Sequence, residues 1–213
     1  MAVTQDKTRT VCQRCRYPIN TCVCDRVATI SLTTQIHILQ HPTEVGLAKG
    51  TARLLELALP TVKIYGGETE HDFADIKTEL LREQRTGHSV WVLFPSQQAL
   101  SLSRTSVKTA YTSPPKHLIV IDGTWRKAKK IFALNPWIHQ FEQVALNNVP
   151  ESTYTIRKAP SASSLSTLEA VAELVEIIET VDMTPLRQLF HFMISKQMEQ
   201  MPEDVKGRYL LQK

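Results

Sequence analysis

The chain has no run of about twenty apolar residues, so no segment is long enough to cross a bilayer as a helix. Its first ten residues, MAVTQDKTRT, are polar and lack the apolar centre of a secretory leader. That sets the expectation of a cytoplasmic protein. No internal repeat is present, which excludes a solenoid. Neither sign of charge dominates. The 25 Lys and Arg oppose 21 Asp and Glu, and a net +4 is a mild tilt toward anionic partners, not a nucleic-acid signature by itself. Cysteine is absent after residue 24. A 213-residue chain with 42% hydrophobic and 22% charged residues fits one large domain, or one domain with a small appendage.

What cysteine there is lies in one stretch. Cys12, Cys15, Cys22 and Cys24 give C-x2-C-x6-C-x-C within VCQRCRYPINTCVC. In a reducing compartment, thiols this close are metal ligands sooner than disulfide partners. An all-cysteine tetrahedral set suits structural zinc, with no ligand position left for water. An iron–sulfur cluster and a redox dithiol pair are the alternatives. Pro18 and Asn20 supply turn chemistry between the two halves. Arg14, Arg16 and Arg26 on or beside this knuckle are either phosphate contacts or solvated surface.

The rest alternates strand and helix patterns. Strands are expected at 34–40, 61–65, 89–94, 117–122, 141–147 and 153–160. Helices are expected at 44–59, 71–85, 124–134, from Ser166-Thr167 to Thr180, and 185–200, with a short one carrying Ala99 and Leu100. Residues 103–116 read as a basic, Pro-containing loop. Such alternation predicts an α/β fold, a mostly parallel sheet with helices on both faces. The expected layout is a mobile tail over 1–10, the knuckle over 11–30, the main domain over 31–202, and a fraying tail over 203–213.

Within it, residues 117–130, HLIVIDGTWRKAKK, concentrate the chemistry. Leu118, Ile119, Val120 and Ile121 read as a strand buried on both faces. It ends in Asp122-Gly123-Thr124-Trp125, and Arg126, Lys127, Lys129 and Lys130 follow on the next helix. Ligands of open α/β sheets sit at the carboxyl ends of strands. A carboxylate, a hydroxyl and an indole there, followed by four cations, suggest catalysis on an anionic polymer. The tetrad has the spacing of neither a phosphate loop nor a nucleophile elbow. A plainer reading makes Asp122 and Gly123 turn residues, Thr124 a helix cap and Trp125 core. His41, before Pro42 at the end of the first strand, either acts in catalysis or holds a loop, and the loop role is favoured. Ser166-x-x-Glu169 before an apolar run is a capping box.

Taken together, Asp122-Gly123-Thr124-Trp125, the four-cysteine knuckle, His41-Pro42-x-Glu44, Leu93-Phe94-Pro95 and Ser166-Thr167-Leu168-Glu169-Ala170 resemble the DTW-domain family, named for an aspartate, one variable residue, then threonine and tryptophan. The match runs from about residue 11 to 195, in the family's order. The resemblance implies an enzyme of the SPOUT-like α/β superfamily with a knotted C-terminal part. Such enzymes transfer the 3-amino-3-carboxypropyl group of S-adenosylmethionine to N3 of a uridine in tRNA. Bacterial members of this length act in the variable loop. The alternatives are a SPOUT-type RNA methyltransferase and a non-catalytic zinc-knuckle RNA-binding protein.

On this chain the implied catalytic set is Asp122, Thr124 and Trp125. Asp122 is the candidate general base, partly buried at the strand end. Thr124 either bonds the methionine carboxylate or caps the helix. Trp125 stacks on uracil or adenine. The family's cofactor loops map to Phe94, Pro95 and Ser96, to about Leu146, to Ile156 and Arg157, and to Ser166, Thr167 and Glu169, with Asp122 adjoining. Glu169 either binds the methionine amine or only closes the capping box. Candidate tRNA-phosphate contacts are Arg14, Lys49, Arg53, Arg126, Lys127, Lys130, Arg157 and Lys158. The partner is tRNA, no membrane is involved, and monomer and homodimer both stay open.

Overall fold

The computed structural model describes residues 10–47, 49–104, 113–156 and 164–210. Six strands lie among them: β1 (Gln35–Gln40), β2 (Val62–Gly66), β3 (Val90–Leu93), β4 (Leu100–Leu102), β5 (His117–Asp122) and β6 (Glu142–Leu146). They form one sheet in the order β2-β1-β5-β3-β6-β4, and every neighbouring pair is parallel. The helices are α1 (Ala52–Ala58), α2 (Ala74–Arg85), α3 (Trp125–Leu134), α4 (Thr167–Glu179), α5 (Thr184–Glu199) and α6 (Glu203–Leu210).

All six residues of β5 are buried, because helices cover both faces of the sheet. Alternation along the strand then decides what each residue meets. Leu118 and Val120 join Ile36 and Ile38 of β1 under α1, α4 and α5. Ile119 and Ile121 join Leu39 under α2 and α3. Burying the four apolar side chains of β5 contributes roughly 6–12 kcal/mol. Asp122 continues the even-numbered series and therefore points to the α4 side.

β1 and β5 are neighbours in register, with Gln40 beside Asp122. The connection from β1 leaves toward β2, and that from β5 leaves toward β6 on the other side. Two adjacent strands whose connections part in opposite directions open a crevice at their carboxyl ends. Gln40, His41 and Asp122 stand at that switch point.

The expected α/β class with helices on both faces is present. The helix expected over 44–59 is shorter. A 3-10 turn at Pro42–Glu44 and a loop precede α1 at Ala52. Gly46 takes a left-handed φ of 77°, and a Cβ on Gly50 would lie 3.1 Å from the Leu47 carbonyl, so this segment turns where an apolar count continues the helix. The short helix expected at Ala99 and Leu100 is instead the edge strand β4, in register with β6. The strand expected over 153–160 is irregular as far as Ile156, and its remainder lies outside the described residues. The tail expected to fray after Pro202 is helical through α6, where Glu203 and Asp204 suit the first turn. No helix among the described residues is long and apolar enough to cross a membrane.

Glu173 of α4 is only 3% exposed. Arg104 holds it at 2.6 and 2.8 Å and Arg187 at 3.3 Å, and both arginines also reach Glu176. Paired charges make that burial tolerable.

Candidate functional site

Asp122 is 8% exposed, and both its oxygens are occupied. Oδ2 accepts from Nε2 of Gln40 at 2.8 Å. Oδ1 accepts from the Thr167 hydroxyl at 2.5 Å. Thr167 opens α4, so the carboxylate faces the positive end of that helix. The fold thus joins two sequence motifs 45 residues apart. Each carboxylate oxygen accepts about two hydrogen bonds. One acceptor position on each remains for a substrate.

The rest of the tetrad surrounds this group. A Cβ on Gly123 would lie 3.1 Å from Cβ of Lys127 and 3.5 Å from Cβ of His41, which favours glycine where α3 starts beside the β1 end. Thr124 is the N-cap of α3 through its backbone, and its carbonyl accepts from Ala128 N–H at 2.8 Å. Its hydroxyl makes no capping bond and is exposed. Trp125 is 48% exposed, so it is not core. Its ring and that of Phe94 meet in a T-shaped contact, centroids 5.8 Å apart, and Nζ of Lys129 lies 5.7 Å from its centre. Phe94 itself is buried and stacks on Phe132 at 4.0 Å, so it supports the indole.

His41 holds a loop, as favoured from the sequence. Its Nδ1 accepts from Thr43 N–H at 3.2 Å, which places the proton of a neutral ring on Nε2. That nitrogen lies 2.8 Å from Glu68. Lys130, at 2.9 Å, and then His41 hold the Glu68 carboxyl below its usual range.

Among the residues expected to hold the cofactor, Phe94, Pro95, Ser96 and Leu146 lie at the carboxyl ends of the adjacent strands β3 and β6. Ile156 is buried and its carbonyl accepts from Lys49 Nζ at 3.2 Å. Ser166 is the buried N-cap of α4. Glu169 closes the capping box, with Ser166 N–H at 2.8 Å and its own N–H on Ser166 Oγ at 3.3 Å. It also accepts from the Ser152 hydroxyl at 2.8 Å and from Thr153 N–H at 2.7 Å. Its acceptor positions are thus filled by a strap at 152–153 drawn onto the start of α4, and the geometry favours the structural half of its two expected roles. Arg157 and Lys158 lie outside the described residues.

The four cysteine sulfurs lie within 4.8 Å of one another, with Cys12–Cys24 and Cys15–Cys22 both at 3.6 Å. Four thiolates about 2.3 Å from a zinc ion stand about 3.8 Å apart, so the spacing fits a tetrahedral metal. Backbone N–H groups of Cys15 and Arg14 pull the Cys12 thiol down to about 6, whereas burial pushes Cys24 up to about 12. One ready thiolate beside thiols reluctant to ionise is a set that a dication completes. The knuckle is not a free appendage. Cys15, Tyr17 and Val23 belong to the core under α1 and α5. The Tyr17 hydroxyl donates to the Gly50 carbonyl at 3.1 Å, and Asn20 donates to Gln200 at 2.6 Å.

The cations expected to meet phosphate divide. Arg14 and Arg126 are exposed. Lys130 pairs with Glu68 yet is 58% exposed. Lys127 is tied to Glu44 at 2.8 Å. Arg53 bonds the Arg16 carbonyl at 3.0 Å and lies over the Tyr17 ring, and Lys49 bonds Ile156. These last three brace the fold, and an anionic partner would have to compete with those contacts.

Gln40 escaped the sequence reading. Its only signal was a polar residue at the end of an apolar strand, directly before His41-Pro42. The buried pair His37 and His117 was missed too. His37 Nε2 lies 3.1 Å from His117 Nδ1 at the amino-terminal side of the sheet, away from Asp122. Burial lowers His37 to about 4.

The DTW domain model matches residues 9–198. A protein of Drosophila melanogaster named tRNA-uridine aminocarboxypropyltransferase 2 is 33% identical over 164 residues, covering 74% of this chain and 62% of that one. Proteins of the same name from Macaca fascicularis and Mus musculus are each 31% identical, over 73% and 76% of this chain and 52% and 54% of their own. The chain therefore spans a little over half the length of these relatives. No solved structure matches it.

Proposed function

The chain belongs to the DTW-domain family, and from that premise we propose that it transfers a 3-amino-3-carboxypropyl group from S-adenosylmethionine to N3 of a uridine in tRNA, in the variable loop. The names of its relatives support the transferase and tRNA parts of this reading. The observation that carries the chemical part is the Asp122 carboxylate, fixed by Gln40 and Thr167 at the switch point of the sheet, beside a half-exposed indole.

The roles follow from what the reaction needs. Uracil N3–H is a weak acid and must lose its proton to become a nucleophile. In this proposal Asp122 takes that proton. The N3 electron pair then forms a bond to Cγ of the methionine portion. The Cγ–S bond breaks, its electrons stay on sulfur, and neutral methylthioadenosine leaves. Attack on the methyl carbon of the same donor would be methyl transfer, so the outcome depends on which carbon lies in line with N3. Trp125 supplies a face for a base swung out of its stack. Ser96, Leu146, Ile156, Ser166 and Thr167, around the strand ends and the start of α4, line the donor. Arg14, Arg126 and Lys130 meet phosphate. The knuckle holds structural zinc and fixes the 49–50 loop through Tyr17. A SPOUT-like knot in the C-terminal part belongs to the same proposal and rests on the family pattern.

The test is to incubate protein, tRNA and S-adenosylmethionine and identify the small product. Methylthioadenosine, with the tRNA gaining the aminocarboxypropyl mass, is expected. S-adenosylhomocysteine would replace this reading with methyl transfer, and no product alongside tight tRNA binding would replace it with a non-catalytic module.

A further inference from the structure

We propose that Oδ1 of Asp122 is the atom that receives the substrate proton, and that Gln40 and Thr167 are the positioning residues that select it. The inference rests on the transfer reaction proposed above and gives its base an atom and its control an origin.

The two oxygens of Asp122 have chemically different partners. Gln40 must present nitrogen to the carboxylate, and Nε2 lies 2.8 Å from Oδ2. An amide N–H has no lone pair to offer. A proton on the free position of Oδ2 would turn that oxygen into a hydroxyl oxygen, a poorer acceptor, and weaken the bond from the amide, which has nothing to offer in return. Thr167 is unlike that. Its hydroxyl carries one hydrogen and two lone pairs, and it rotates. It donates to Oδ1 at 2.5 Å while the carboxylate is ionised. When a proton arrives on Oδ1, the hydroxyl can turn its hydrogen away or accept. Oδ2 then becomes the carbonyl oxygen of the neutral acid, the better acceptor, and the Gln40 bond persists. One oxygen is locked and the other is free to change state.

The elements that carry the pair are rigid. Gln40 is in register beside Asp122 on the neighbouring strand. Thr167 is set by the first turn of α4, where Ser166 and Glu169 form a complete capping box and Glu169 also takes the 152–153 strap. Thr167 also borders the proposed donor position, but neither side chain takes the substrate proton. Each acts through Asp122.

The experiment compares wild type with Thr167→Val, Thr167→Ser and Gln40→Met. Single-turnover transfer to tRNA is followed across pH, and the NMR resonance of the isotopically labelled Asp122 carboxyl carbon is titrated in the same proteins, with melting as a folding control. Loss of a hydrogen bond to the ionised carboxylate should move both the acidic limb of the rate profile and the resonance midpoint upward by about one pH unit in Thr167→Val and Gln40→Met. The rate should fall about tenfold to a hundredfold. Thr167→Ser should restore both. A rate profile and resonance in Thr167→Val identical to wild type overturn the proposal, as does Thr167→Ser failing as badly as Thr167→Val. If wild type makes no methylthioadenosine yet the resonance moves as stated, the transfer reading fails while the pair's control of Asp122 stands.

Discussion

Replacing Glu169 separates two jobs that the family pattern leaves joined. In the structure this carboxylate gathers Ser166 N–H, Thr153 N–H and the Ser152 hydroxyl. Removing a capping acceptor costs about 1 kcal/mol. Thr153 is exposed, and water replaces its bond at little cost. The half-buried Ser152 hydroxyl loses a charged partner, which adds about 1 kcal/mol after allowance for water. Glu169→Ala should therefore cost about 2 kcal/mol, a fall of about 4–8 °C in melting temperature for a domain of this size. Glu169→Gln keeps an acceptor oxygen at a capping-box position and should recover about half. Melting curves of the three proteins decide it, with S-adenosylmethionine titrated into each. If Glu169→Ala melts with wild type but loses the ligand, the carboxylate serves the methionine amine and the capping account is wrong.

Three further outcomes are expected. Burial holds His37 neutral in the fold down to about 4, against about 6.5 unfolded, so the unfolded chain gains a proton first as pH falls. Stability should be complete above pH 6.5 and decline by up to about 3 kcal/mol toward pH 4, with His117, also lowered, acting in the same direction. A denaturation midpoint flat across that window contradicts it. Cys12→Ser should release bound zinc, read by metal analysis, and lower the melting temperature, because Cys15, Tyr17 and Val23 sit in the main core. Full zinc content with unchanged melting refutes this. Trp125→Ala should weaken tRNA binding by about fivefold to 150-fold, from loss of about 1–3 kcal/mol of stacking, while melting barely moves because the indole is half-exposed.

The strands were legible wherever apolar residues ran together, since β5 is buried on both faces and its composition says so. Helix α4 was legible through its capping box. The start of α1 was not, because apolar residues at 45–48 continue a helical pattern while Gly46 turns left-handed. Edge strand β4 was not, because three residues gain their character from pairing with β6. Asp122 stood out as an acid ending an apolar strand. Its partners Gln40 and Thr167 did not, because their meeting depends on strand register and helix placement. Of the cations, sequence gave position but not engagement. Lys127, Arg53 and Lys49 look alike to Arg126 in the chain and differ only in what they touch.

In the proposed mechanism the Asp122 carboxylate removes the uridine proton. The most direct measurement of that step is the single-turnover rate of methylthioadenosine release with tRNA for wild type and Asp122→Asn, a change that keeps shape and removes the base. A loss of about a hundredfold to ten-thousandfold in that rate is expected, with tRNA affinity unchanged. An Asp122→Asn protein that releases methylthioadenosine at the wild-type rate would contradict it.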